Sequence, residues 1–397
     1  MILPLRVSDI CYHIMKLNCV KLKIETGKSD LEACVLRAIM AETKSAADLV
    51  EPYDAAFVSG QYGDALVLAQ KALRRGASAV VLNNGTCSAD TRRLIAELCA
   101  RTNVPLIEIE EYVHFAVAKD LFDQEIDAFE QKRAKLGYEL QNMLIFQNNP
   151  HSCAAMMEAY GICSDQGYCV AALKFVCKQD ALSDQQMLCK AERLAEIGMN
   201  EVIAETAAVV VGSCVALIGG GREEETVNKA IQSAIAALPE NLMKRYEIYV
   251  GTGRTCDEVE HLPESFAIAS RVAGIQAVRK QEKSVLSYEE LGISKLLMEI
   301  DCHSRTAKAF YADTLRPLVE HDRNNGTDLV NFLRAYFEYG GRVKIISEKL
   351  YMHRNSVNYN VNKISGIVKR DLSDMCDRAE ILVALRLFEL MFGEDTL

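Results

Sequence analysis

The chain lacks what would take it to or through a membrane. Met1 to Asp9 is not a basic stretch leading into an apolar run and a small-residue cleavage site, and no later stretch approaches about 18 uncharged apolar residues. The expectation is a cytoplasmic chain that no membrane holds. It also lacks any Cys-x-x-Cys pair: its 14 cysteines are scattered along the chain. In a reducing compartment such scattered thiols behave as small buried hydrophobes. The nearest to a metal cluster is His151, Cys153, Cys163, Cys169 and Cys177, whose spacings match no common zinc site, so neither a metal nor another cofactor is expected. Positive charge is short overall: the net of -10 excludes a protein that coats nucleic acid with its whole surface, and leaves room only for a local basic element.

What is present is ordinary globular composition, 50% hydrophobic and 25% charged, over 397 residues, enough for two to four domains. Ala55 to Val58, Ala79 to Leu82 and Leu106 to Ile109 read as strands buried on both faces. Asp64 to Arg75 and Ala89 to Arg101 between them carry helical periodicity. That alternation implies a parallel sheet with right-handed crossovers. Gly60 and Gly85 end strands, where an open α/β sheet presents its ligand crevice; both also fit as plain turn residues. Lys21 to Ala47, rich in charged and small residues, gives no recognisable ligand pocket. Phe115 to Phe146, free of proline, reads as a connecting helix that could pair with its twin in a dimer.

Next come a strand Tyr168 to Cys177, a helix Asp184 to Gly198, strands Val202 to Val211 and Val215 to Ile218 around Gly212-Ser213-Cys214, a helix Glu223 to Leu238, a strand Tyr246 to Val250 and a helix Leu262 to Lys280. This β-α-β-β-α-β order is that of ferredoxin-like and nucleotide cyclase domains. Gly219-Gly220-Gly221-Arg222, followed by Glu223, Glu224 and Glu225, could cradle phosphate and Mg²⁺. Acidic residues at a helix start also follow from the macrodipole alone. Diguanylate cyclases carry their metal-binding carboxylates on the central hairpin turn, and Val211-Gly212-Ser213 has none, so no catalytic residue is assigned.

Beyond Asp328 the pattern is wholly helical. Leu329 to Glu338 stops at Tyr339-Gly340-Gly341, Val343 to Leu350 follows, and Tyr351-Met352-His353 leads into Arg354 to Val368. Two short helices joined by a tight turn make a helix-turn-helix, the second entering the major groove. Val357, Val361, Ile364 and Val368 face inward, which leaves His353, Arg354, Asn355, Ser356, Asn358, Tyr359, Asn362 and Lys363 as the DNA-binding candidates. His353 and Arg354 fit equally as caps or braces of the turn. From Gly341 to Arg370, Arg342, Lys344, Lys349, Arg354, Lys363, Lys369 and Arg370 stand against Glu348 alone. An amphipathic pair in a helical bundle is the other reading of these helices.

With these residues in view the chain resembles the PucR/CdaR family of bacterial transcription regulators. The likeness is carried by Leu333, Ala335 and Tyr336, Gly340-Gly341, His353-Arg354-Asn355-Ser356-Val357, Tyr359, Lys363-Ile364, Arg378 and Ala384-Leu385. Pro105-Leu106-Ile107, Gly251 to Arg254 and Ser265 to Ala269 extend it upstream. The resemblance implies an α/β sensor domain (1–115), a connecting helix (116–147), a degenerate GGDEF-like domain (148–300), a helical linker (301–326) and a helix-turn-helix domain (327–397). It further implies a homodimeric or larger, non-enzymatic regulator binding double-stranded DNA and a small-molecule effector that the sequence does not identify. Asn358, Asn360 and Asn362 stand where the family commonly carries arginines. The alternative is a nucleotide-sensing or cyclic-nucleotide signalling protein acting through the middle domain.

Overall fold

The structure is a computed structural model that describes residues 4–17, 20–24, 31–109, 112–146, 150–162, 166–178, 185–221, 223–280, 285–299 and 304–394. Two compact units divide it, residues 1–139 with 158–161, and residues 140–157 with 162–397.

The first unit is built on α1 (Val7–Leu17), β1 (Lys23–Ile24), β2 (Arg37–Met40), α2 (Lys44–Ala47), β3 (Asp54–Val58), α3 (Ala65–Arg74), β4 (Ala79–Asn83), α4 (Ala89–Thr102), β5 (Leu106–Ile109) and α5 (Tyr112–Phe146). Its sheet runs β1-β5-β4-β3-β2, with β2 to β5 parallel and β1 antiparallel at one edge. Every residue of β3, β4 and β5 is buried, because helices cover both faces. Phe57, Val81 and Ile107 face Ile10, Ile14, Phe115 and Phe122, with the Phe57 ring 5.2 Å from Phe122 edge to face. Val58, Val80 and Leu82 face Leu68, Ile95 and Cys99.

Helix starts follow their caps: the Asp64 carboxylate accepts from Leu66 N, and the Ser88 hydroxyl from Thr91 N. Gly60 answers to close packing. A Cβ there would lie 2.5 Å from Thr86 O, and its N–H donates to Thr86 Oγ1 at 2.8 Å, tying two strand-end loops together. The Lys21 to Ala47 run contributes only short edge pieces, β1, β2 and α2, and its residues 25–30 lie outside the described residues.

The second unit continues with α6 (Pro150–Tyr160), β6 (Tyr168–Cys177), α7 (Gln185–Asn200), β7 (Thr206–Val211), β8 (Cys214–Gly220), α8 (Glu224–Ala236), α9 (Glu240–Arg245), β9 (Tyr246–Thr252), α10 (Leu262–Arg279), β10 (Leu286–Ser287), α11 (Ser294–Met298), α12 (Arg305–Thr314) and α13 (Arg316–Asn325). It ends in α14 (Leu329–Glu338), α15 (Val343–Lys349), α16 (Arg354–Val368) and α17 (Met375–Glu394). The sheet order is β10-β9-β6-β8-β7; β6 is antiparallel to both neighbours, and β9 and β10 are parallel.

One predicted strand is four residues shorter at its start. Val202 and Ile203, β-branched though they are, close helix α7 by donating their N–H groups to Met199 O at 3.1 and 3.0 Å. Cys214 joins β8, which leaves Gly212-Ser213 as a two-residue hairpin turn with Gly212 at φ 60. Of the zinc candidates, the Cys169 thiol donates to Gly219 O at 3.5 Å, and burial pushes its pKa up to about 11. Cys177 points at Arg245 O, 3.9 Å away. Cys163, Arg222, Asp184 and the side chains of His151 and Cys153 lie outside the described residues.

β9 lies so close to α10 that a Cβ on Gly251 would come within 2.4 Å of both Ala269 O and Ala273 N. Gly251→Ala is therefore expected to lower unfolding free energy by about 2–3 kcal/mol. A urea midpoint equal to the parent's would contradict that packing.

Candidate nucleic-acid interface

Leu333 and Tyr336 of α14, Ile346 of α15, Val357, Ile364 and Val368 of α16, and Ile381 and Leu385 of α17 share one buried cluster, so the helices interlock around a common apolar centre. α14 starts where the Asp322 carboxylate accepts from Leu329 N at 2.9 Å and Val330 N at 2.8 Å, a cap supplied from outside the helix's own sequence. It ends at Gly340 and Gly341, with φ of 62 and 70; the Gly341 N–H donates to Tyr336 O at 2.8 Å.

Between α15 and α16 the chain turns through Tyr351 at φ 51, a conformation that glycine adopts far more cheaply. Met352 N donates to Ser347 O at 3.0 Å and closes the turn. His353 is the N-cap of α16, its Nδ1 accepting from Asn355 N at 3.2 Å. Its ring is thus engaged in shaping the turn, one of the two roles its position allowed.

Seven of the eight candidate residues, His353, Arg354, Asn355, Ser356, Asn358, Tyr359 and Asn362, are exposed, and Lys363 is half-buried. Asn355, Asn358, Tyr359 and Asn362 recur at i, i+3, i+4 and i+7 and form one stripe opposite Val357, Ile364 and Val368. Arg354 lies on one flank of that stripe and Ser356 with Lys363 on the other. None of the stripe's side chains bonds to another described residue, so their amides and phenol are open to a ligand. Around them Arg342, Lys344, Lys349 and Lys369 are exposed. Arg370 is not available in the same way, because its Nε pairs with Glu380 at 2.7 Å. Two residues stand out that periodicity alone did not single out. Tyr351 is 97% exposed on the turn, and Lys349 is exposed beside it.

What holds these helices is a buried charge cluster. Glu389 of α17 is fully buried and accepts from Arg279 of α10 at 3.0 and 2.8 Å, from Arg334 of α14 at 3.2 Å, and from Arg386 at 3.1 and 2.8 Å. Burial and the two neighbouring guanidiniums push the Arg334 pKa down, while Glu389 opposes them. One carboxylate thus serves three cations on three helices. Glu389→Gln leaves those cations without their counter-charge and is expected to cost about 3–5 kcal/mol of stability. Equal melting temperatures for parent and variant would remove the cluster from the account of the fold.

The middle domain's hairpin turn, Gly212-Ser213, presents no carboxylate. Downstream, Glu223 accepts the Thr226 hydroxyl at 2.6 Å and Glu225 pairs with Lys229 at 2.6 Å, as helix-start carboxylates commonly do.

Comparison with known proteins follows the same division. Residues 329–387 match the PucR C-terminal helix-turn-helix domain, and residues 147–275 match the GGDEF-like domain. The proline-responsive transcriptional activator PutR of Bacillus subtilis (strain 168) is 27% identical over 143 residues, 36% of this chain and 34% of that protein. The purine catabolism regulatory protein of the same organism is 24% identical over 141 residues, 36% of this chain and 26% of that one. The carbohydrate diacid regulator of Escherichia coli (strain K12) is 26% identical over 170 residues, 43% of each. The chain thus spans less than half the length of each of these relatives. In its two matched regions the chain is of the PucR type, a GGDEF-like domain followed by the PucR C-terminal helix-turn-helix domain.

Proposed function

We propose that this chain is a transcription regulator that binds double-stranded DNA through α16, responds to a small-molecule effector and controls catabolic genes. The observation that carries the reading is the exposed stripe Asn355, Asn358, Tyr359 and Asn362, flanked by Arg354, Ser356 and Lys363 on the second helix of a PucR-type helix-turn-helix. Side-chain amides bond adenine through two atoms at once, and the surrounding cations neutralise phosphates. The names of the relatives support the catabolic setting, since they concern proline, purine catabolism and carbohydrate diacids.

The five-part division into 1–115, 116–147, 148–300, 301–326 and 327–397 is retained as the working description, with 1–115 as the sensor domain and a ferredoxin-like middle domain. The middle domain is taken to be non-enzymatic, because a hairpin turn without carboxylates cannot hold the metal that cyclase chemistry needs. Among the described residues no helix is long and apolar enough to cross a membrane, and the proposed site of action is the cytoplasm. A homodimer reading two half-sites roughly 34 Å apart is the proposed assembly.

Tyr351 is assigned to the DNA backbone. A nearly fully exposed aromatic ring on a left-handed turn residue contributes little to the fold, and it stands beside the recognition helix. Tyr351→Asn, which tolerates the same backbone, is expected to keep stability within about 0.5 kcal/mol. It should weaken DNA binding equally on all sequences. A variant that binds as the parent does would remove the residue from the interface.

The founding test is capture of genomic fragments by the purified chain at two salt concentrations, with sequencing of what is retained. A shared motif surviving the higher salt is expected, and enrichment of none overturns the reading. On that motif Asn355→Ala or Asn358→Ala should cost about 1–3 kcal/mol and relax the preference at one base pair. Lys363→Ala should reduce the slope of log affinity against log salt by roughly 0.9. Uniform losses for all three would argue against base readout by the amides.

A further inference from the structure

Helix α5 has a face that the core of the first unit does not use. Its inner side is committed: Phe115, Ala118, Phe122 and Ile126 are buried in the cluster beneath the sheet. On the other side Gln124, Asp127, Gln131, Lys135 and Tyr138 are all exposed. Their spacings of three, four, four and three residues keep them on one side of the helix and are the same read in either direction from Gln131. Ala128 and Ala134, also exposed, flank the row at equal distances from the same centre.

Charge on this face is divided about that centre, with Asp127 on one side and Lys135 on the other. Neither has an ionic or hydrogen-bonding partner among the described residues. Upstream on the same helix the charges are matched within the chain: Lys119 pairs with Asp123, and Glu125 with His13 of α1 at 2.8 Å. The helix macrodipole does not account for the division, because it acts within the first and last turns and both residues lie about three turns or more from either end of α5. Tyr138 adds an aromatic ring that is 67% exposed on the same row.

The partner that fits such a face is another copy of it. Turning a second α5 end over end about Gln131 brings Lys135 level with Asp127 of the second copy, and Asp127 level with its Lys135. Tyr138 then meets Gln124 of the second copy, and Ala128 meets its Ala134, where side chains of one carbon let the helix axes approach closely. A parallel pairing instead sets Lys135 against Lys135 and Asp127 against Asp127, which repel. A two-fold axis at Gln131 thus satisfies both charges twice, from one surface.

We propose that two copies of this chain dimerise through α5, antiparallel about Gln131, with reciprocal ion pairs between Asp127 and Lys135. The proposal rests on the homodimer reading and adds the surface and the direction of pairing; it does not depend on DNA binding. The test is sedimentation equilibrium of the full chain as the parent, as Asp127→Lys, as Lys135→Asp, and as an equal mixture of the two variants. The parent is expected to be a dimer. Each variant alone sets like charges across the seam at two places and should dissociate at least about tenfold more readily. In the mixture a chain with two cations meets a chain with two anions, and the affinity should return to the parent's.

A parent that stays monomeric at micromolar concentration overturns the homodimer reading and the seam with it. A dimer indifferent to both reversals keeps the homodimer and overturns the seam. A mixture no tighter than the variants alone overturns the antiparallel register. Both positions are exposed, so circular dichroism equal to the parent's serves as the folding control. A second reading needs no variant: the parent's dimer should weaken as salt is raised, and one that tightens with salt counts against the ion pairs.

Discussion

Glu389 is a carboxylate with no solvent around it and three guanidiniums within hydrogen-bond reach, contributed by α10, α14 and its own helix α17. Such a group is stable only while every partner keeps its place, since a buried charge that loses its counter-charge costs several kcal/mol. The geometry of the helix-turn-helix follows from that requirement. α14 cannot shift against α17 without stretching Arg334, and α17 cannot leave α10 without stripping Arg279. The apolar clusters on either side of the cluster supply most of the burial free energy, yet apolar contacts tolerate sliding by small amounts. Directed charge-assisted bonds do not. The cluster therefore fixes register where hydrophobic packing only supplies cohesion.

How much of this was legible in the sequence depends on how far apart the partners lie along the chain. The bounds of α14 and α16 could be read directly, because a paired glycine, a short turn and a periodic apolar face are all local signals. β3, β4 and β5 were legible for the same reason, as continuous apolar runs between turn residues. The start of β7 was not. Val202 and Ile203 have strand propensity, but their N–H groups were already committed to ending α7. The edge pieces β1 and β2 are short and half-exposed, and so leave almost no pattern to find.

The candidate DNA-contacting residues were legible as a surface stripe because one side of α16 is buried and seven of the eight fall on exposed positions. Two refinements needed coordinates. His353 spends a ring nitrogen on its own helix, and Arg370 is engaged with Glu380, a residue ten positions on, so the basic element is weaker than a count of cations suggests. The Arg279–Glu389 bond spans 110 residues, and nothing in either segment's periodicity announces it. The same holds for the cap that Asp322 places on α14, which depends on how the preceding helix folds back.

α17 is 20 residues long, a rod of about 30 Å, and its faces are divided between two neighbours. One side completes the core of the helix-turn-helix and the other seals the cluster that contains Ile275, Tyr288 and Leu297. This has a consequence for how such chains can be recombined in evolution. A helix-turn-helix module cut out at residue 327 would carry Leu387, Leu390 and Met391 bare to water and would leave Arg279 behind. The inheritable unit is therefore larger than the helix-turn-helix: a new partner domain can be grafted on only if it brings its own version of α10, or if α10 travels with the module.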